Sequence, residues 1–231
     1  MKLYINKAES CFSNAVAVDD MILTKELPTT AGSKMLDGYK SLFAAQVVER
    51  VISEGYQIAG KANVGEFSID MLGESSYFGC CSDDSGNAFG AAAGLVAAGD
   101  VKAALCLDVN GAPRRAAALS GMVCVKPTYG TVSRYGTIPV ACSGETVTVT
   151  ARSAGECREI LDVIAGHDDK DGTSLPEEKC ALVRGSSEAK PLSRVAVIKT
   201  LADGVDSQTS ARINAFKEML VKNGAEVVEI E

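Results

Sequence analysis

Between Gly86 and Gly99 the chain reads Gly-Asn-Ala-Phe-Gly-Ala-Ala-Ala-Gly-Leu-Val-Ala-Ala-Gly, almost free of large side chains. Such a run cannot fill a core by itself. Its small residues let a helix lie close against a sheet, and packing must recover the propensity that its glycines cost. Directly after it, Val101 to Leu107 is a short apolar run of strand length. A buried helix feeding a buried strand points to an α/β fold: a mixed β-sheet flanked by helices.

The rest of the chain supplies matching elements. Lys40 to Ser53 reads as an amphipathic helix with Phe43, Val47, Val48, Val51 and Ile52 on one face, stopped by Gly55. Gln57 to Lys61 reads as a strand, and Thr146 to Thr150 alternates like another. Ser153-Ala154-Gly155-Glu156 has capping-box spacing and opens a helix carrying Ile160, Leu161 and Ile164. The last forty or so residues form a βαβ unit: a strand at Arg194–Ile198, a helix from about Ser207 with Ile213, Phe216, Met219 and Leu220, a stop at Asn223-Gly224, and a strand from Ala225 to Ile230. A right-handed crossover makes those strands parallel. Residues 172–191 are polar and carry two prolines, which reads as a linker or surface excursion. The chain, 1–231, is otherwise read as one domain.

A net charge of −7 and scattered Lys and Arg disfavour a nucleic-acid partner. No apolar run reaches the length of a membrane span, and the N-terminus lacks the apolar centre of a signal peptide, so a cytoplasmic protein is expected. The eight cysteines contain no C-x-x-C pair and His167 is the only histidine, which gives no metal centre and no cofactor. Six cysteines read as small buried hydrophobes; the vicinal pair Cys80-Cys81, after a Phe78-Gly79 turn, reads as exposed. Asp19-Asp20 reads as a solvated turn, His167 as a residue capping a helix C-terminus.

The segment Ala104 to Arg115, Ala-Leu-Cys-Leu-Asp-Val-Asn-Gly-Ala-Pro-Arg-Arg, lies between the small-residue helix and Lys126-Pro127-Thr128-Tyr129-Gly130. With Gly60-Lys61-Ala62-Asn63-Val64-Gly65-Glu66-Phe67, Val132-Ser133-Arg134-Tyr135-Gly136 and Ile164-Ala165-Gly166-His167-Asp168, it resembles the amidase signature family. The order and spacing of these blocks carry the resemblance, from about Ala15 to the C-terminus. It implies a shortened amidase signature core. The family's helical N-terminal extension and long C-terminal portion have no counterpart here, and an exposed sheet edge is then expected to favour a homo-oligomer or a protein partner.

The resemblance also implies a chemistry, a Ser–cis-Ser–Lys triad in which a buried neutral lysine takes the nucleophile's proton through the bridging serine. Carried over position by position, the lysine falls on Asp19, counted back from Leu27-Pro28-Thr29-Thr30-Ala31-Gly32-Ser33-Lys34. The bridging serine falls on Phe89, or on Ser85 if a gap is allowed. The nucleophile, last serine of the family's Gly-Ser-Asp-Thr-Gly-Gly-Ser-Ile-Arg, falls on Ala112. Phe89 cannot relay a proton and Ala112 has no group that can attack; a carboxylate at Asp19 could act as a base only with a partner. The amides of Val109, Asn110 and Gly111 are left as oxyanion donors or ligand contacts, whereas Pro113 has none to give. Asp108 and Arg114 read as a structural ion pair or an anchor for a ligand, Lys126 as a turn residue, and Lys61 as lying outside the block that carries the family's lysine.

The expectation is a catalytically inactive amidase-like protein that binds a ligand or serves in a complex. Two alternatives stand beside it. One is an active amide hydrolase or amidotransferase component using Asp19 with Ser85, or Cys80. The other is a carrier of a small amide or carboxylate beside Asn110 and Gly111.

Overall fold

The computed structural model describes residues 2–9, 14–81, 90–180 and 192–231. In chain order the elements are β1 (Tyr4–Lys7), β2 (Ala15–Asp19), α1 (Gln46–Ser53), β3 (Gln57–Ala62), α2 (Ala91–Ala98), β4 (Ala103–Asp108), α3 (Ala112–Leu119), β5 (Val123–Val125), β6 (Thr146–Ala151), α4 (Ala154–Ile164), α5 (Glu177–Cys180), β7 (Arg194–Ile198), α6 (Lys199–Ala202), α7 (Ser207–Lys222) and β8 (Glu226–Ile230). They fall into two compact units, 1–184 and 185–231.

The first unit is a six-stranded mixed sheet in the order β1-β3-β2-β4-β6-β5. β2 runs parallel to both β3 and β4, while β1, β6 and β5 join antiparallel. Period-two alternation gives the sheet two buried faces. Val16, Val18, Leu105, Leu107, Val147 and Val149 face α1 and α4, which contribute Val47, Val48, Val51, Cys157, Ile160 and Ile164. Ala15, Ala17, Ala104 and Cys106 face α2, which contributes Ala91, Ala92, Leu95 and Val96. The small-residue run thus does what its composition requires. α2 is buried along most of its length, closes on Gly99 in the left-handed conformation, and approaches α3 so closely that a Cβ on Gly90 would stand 2.8 Å from the Ala116 Cβ.

β3, β4, β6 and α4 fall where the pattern places them, and α4 has its cap: Ser153 Oγ accepts from the Glu156 N–H at 3.2 Å. The helix expected from Lys40 begins only at Gln46. Ahead of it the backbone is held extended by tertiary bonds, Ala45 N–H to Leu23 O and Gln46 N–H to Tyr135 O, at 2.9 and 3.0 Å. Phe43 accordingly lies off the helical face, stacked on Tyr135 with ring centroids 5.2 Å apart, and Ile52 is half exposed. Within 172–191, Glu177–Cys180 forms one helical turn that buries Cys180.

The second unit is the expected βαβ arrangement. β7 and β8 pair in parallel, from Arg194 opposite Glu226 to Ile198 opposite Ile230. Asp206 caps α7 by accepting from the N–H groups of Gln208 and Thr209 at 2.9 and 3.0 Å, and Gly224 at φ +86° follows its end.

Candidate functional site: a cleft between Asp19 and Ala112

On the α2 face of the sheet the two helix starts and the strand ends surround a cleft of about 590 Å³, part of it open to solvent. Its floor comes from the strands, with Asp19 ending β2, Cys106 in β4 and Thr150 in β6. Its walls come from Ala91–Ala93 of α2, Ala112 and Ala116 of α3, and the loop carrying Val64, Met71 and Leu72. The small residues on its helix side, Gly90, Ala91–Ala93, Ala112 and Ala116, leave the room for it.

Ala112 is the first residue of α3. Gly111 precedes it at φ +99°, a conformation that favours glycine, and Pro113 sits in the first turn where its missing N–H is not needed. The strand-to-helix corner is wired by side chains. Asp108, fully buried, accepts from Gly111 N–H at 3.0 Å, Arg114 Nε at 2.7 Å and Lys126 Nζ at 3.2 Å. Burial pushes the Asp108 carboxyl up, but Arg114 and Lys126 outweigh it and hold the group below the ordinary carboxylate range. Asn110 Oδ1 accepts from the Ala112 N–H at 3.2 Å, and Asn110 Nδ2 donates to Ile69 O at 2.7 Å. The Gly111 amide expected as an oxyanion donor is therefore engaged by Asp108. Val109 packs toward the opposite core, with α1 and α4. Asp108, Val109, Asn110, Gly111 and Arg114 shape the corner, and none is among the described residues lining the cleft.

Asp19 and Asp20 are no solvated turn. Both are buried, at 2% and 0% exposure, because β2 is a central strand whose end is covered on both faces. Asp20 faces Lys61, itself fully buried, across 3.6 Å. Lys61 also donates to Ile22 O and to Thr29 Oγ1, the latter at 3.0 Å. Desolvation lowers the Lys61 ammonium to about 8 against the pull of Asp20 and Asp19. Asp19 accepts from Met21 N–H at 3.0 Å and Leu107 N–H at 2.6 Å. Burial, opposed by those two bonds, pushes its carboxyl up to about 6.

Asp19 and Ala112 both line this cleft. Phe89 and Ser85 lie outside the described residues. The cysteines divide differently from expectation. Cys81 is buried and lines the cleft while Cys80 is exposed; Cys142 is also exposed and Cys124 half-buried. Burial drives the Cys81 thiol up to about 11 and the Cys106 thiol well above its ordinary value, so neither is a ready nucleophile. Cys11 lies outside the described residues. His167 does not cap a helix: its ring meets Leu175 O and Asp169 at 2.9 and 3.0 Å. Carbonyls at and just beyond the end of α4 are instead taken by Arg50, which donates to Ile164 O at 2.7 Å and His167 O at 2.8 Å. Among the described residues no cluster of His, Cys, Asp or Glu could hold a metal ion, and no helix is long and apolar enough to cross a membrane.

The remaining family-like blocks are joined to each other. Arg134 donates to Glu145 at 2.7 Å, whose other oxygen accepts from the N–H groups of Val140 and Ala141. Ser133 donates to Asp168, which ties the turn after β5 to the end of α4. Nothing in the sequence marks Asn63, Asp70 and Thr150 as site residues, although all line the cleft.

This architecture, a mixed sheet with a helix starting on a glycine corner above a cleft, is that of the amidases. Residues 14–231 match the family model for amidase, and the chain belongs to that family. It is 39% identical over 222 residues to the A subunit of glutamyl-tRNA(Gln) amidotransferase from Anaeromyxobacter dehalogenans, an alignment covering 93% of this chain and 45% of that protein. The Halobacterium salinarum counterpart is 39% identical over 225 residues, covering 93% of this chain and 52% of its own length. The chain spans about half the length of the curated relatives it matches. Among solved structures, the Thermotoga maritima counterpart superposes with a TM-score of 0.87 at 28% identity, over 99% of this chain and 54% of that one. Kluyveromyces lactis allophanate hydrolase superposes with a TM-score of 0.78 at 26% identity, over 94% of this chain and 36% of that one.

Proposed function

We propose that this chain is a catalytically inactive amidase homologue that acts by binding, through its cleft or as one member of a protein complex. The observation that carries the reading is Ala112. It occupies the corner where the family resemblance puts the attacking serine, and it presents a methyl group to the cleft. Facing the same space, the position of the proton-accepting lysine holds a carboxylate, Asp19. A methyl group cannot attack an amide carbonyl, and the engagement of the Gly111 N–H by Asp108 removes a donor from the oxyanion position. The relatives whose names call them subunits of an amidotransferase lend support to the complex, as a homo-oligomer or with a protein partner. The open cleft beside Ala112 supports a small-molecule ligand, held away from Asn110 and Gly111, which are not among the described residues of its lining.

Hydrolysis of glutamine, asparagine and an aryl amide, followed by ammonia or arylamine release, tests the proposal. No turnover is expected. A rate that disappears in Cys80→Ala or Ser85→Ala would overturn it in favour of a hydrolase with its own nucleophile. Light scattering after gel filtration, alone and at rising concentration, tests self-association.

A further inference from the structure

We infer that the cleft takes a small organic cation, a primary ammonium or amidinium with a short apolar tail, seated on the Asp19 carboxylate. Three observations lead there. First, alternation along β2 turns Asp19 to the same side as Ala15 and Ala17, toward α2, and its side chain reaches the cleft wall. Second, each Asp19 oxygen accepts one backbone N–H, from Met21 and from Leu107, and each keeps a lone pair beyond that. Among the described residues no lysine or arginine nitrogen is within ion-pair distance of it, since the Lys61 ammonium pairs with Asp20. Third, most of the described wall is apolar, from Val64, Met71 and Leu72 across to Ala91–Ala93 and Ala112, and a buried carboxylate in such a wall gains most from a ligand that brings both charge and N–H donors.

Two other polar residues of the wall, Asp70 and Asn63, are already engaged, while the buried Thr150 Oγ1 in its floor has no hydrogen-bond partner among the described residues. Asp70 accepts from the N–H groups of Leu72, Gly73, Glu74 and Ser75 and from the Ser75 hydroxyl. Asn63 donates to Lys2 O and Gly79 O and accepts from Ser76. Asp19 is left as the charged group of the described wall with open acceptor capacity.

The inference rests on the binding reading above, and the hydrolysis assays decide that reading separately, whatever the outcome here. The test compares butylammonium, butyramide and butyrate, which share a tail and differ in head group, by calorimetry and ligand-observed NMR. Butylammonium is expected to bind at least tenfold more tightly than either of the others. Asp19→Asn should lose tenfold or more of that affinity. Because an Asn amide meets two backbone N–H groups there and the variant can be destabilised, Ala112→Leu provides a second test: it fills the cleft without touching Asp19, and should abolish binding while the circular dichroism spectrum is unchanged. Equal or stronger binding of butyramide or butyrate, no butylammonium binding by the folded wild-type chain, or unaltered binding in Ala112→Leu would overturn the inference.

Discussion

Replacing Lys61 by Met probes a charge fully buried at the end of β3. Met has nearly the length of Lys and keeps the apolar stem in place, so the change is chiefly the loss of the ammonium. That loss removes the donor to Ile22 O and Thr29 Oγ1 and the cation facing Asp20 Oδ1, an oxygen with no hydrogen bond of its own. Removing one partner of a buried pair costs about 3–5 kcal/mol, because the other charge stays behind unpaired. Burial already pushes the Asp20 carboxyl upward against Lys61, so without the lysine it takes up a proton more readily and part of the cost is relieved. About 3 kcal/mol is therefore expected at pH 8, and less at pH 5, because the unpaired, desolvated carboxyl is more easily neutralised as pH falls. Urea unfolding followed by circular dichroism measures both, as a midpoint shift of about 1–2 M at pH 8 for a slope near 2 kcal/mol/M. The double variant Lys61→Met/Asp20→Asn should cost less than the two single changes together, since neither orphan remains. A loss below about 1 kcal/mol, or one unchanged between pH 5 and pH 8, would refute the argument that the pair is held by mutual neutralisation.

Three further outcomes follow from the same contacts. Asp108→Ala leaves the Gly111 N–H unanswered and the corner before α3 untied; it should cost about 2 kcal/mol in denaturant titrations, discounted because Arg114 is half exposed. Gly136 stands at φ +83°, and a Cβ there would lie 2.4 Å from the Ala45 Cα; Gly136→Ala should therefore destabilise by more than about 2 kcal/mol, read as a lowered melting temperature. For Asp19, a folded pKa of about 6 above an ordinary 3.8 means that its contribution to stability is fully present below pH 3.8 and lost as pH rises through 6. Wild type should accordingly lose about 3 kcal/mol relative to Asp19→Asn between pH 3.8 and pH 7, and parallel stability profiles of the two chains would contradict the buried, uncompensated carboxylate.

Much of this fold was legible because its strongest patterns are local. α2 declares itself by lacking large side chains, α4 by its Ser153 cap, and β7, α7 and β8 by the Asn223-Gly224 stop between apolar runs. The elements that went unread have no such signal. β2 is buried on both faces, so Ala15 to Val18 show no alternation of polarity, and the two aspartates that follow look like the start of a turn. What makes them a core feature is Lys61, distant in sequence. The parallel register of β2 on β3 sets Lys61 opposite Val18, immediately before the pair, and no window on the sequence contains that fact. The start of α3 was hidden for another reason: Gly111-Ala112-Pro113 reads as a loop until Asp108, Arg114 and Lys126 are seen to lock it into a helix N-terminus. The same physics separates the two halves of the candidate site. If the family resemblance places the nucleophile at Ala112, the residue type there already shows that no group can attack, whereas at Asp19 it shows only that a carboxylate is present. Whether such a carboxylate is a solvated ornament or a binding group depends on burial, on which face of β2 it takes, and on which cation is already occupied elsewhere. Those three facts are tertiary, and together they turn an apparent relic into the one charged group of the described cleft wall able to accept a new donor.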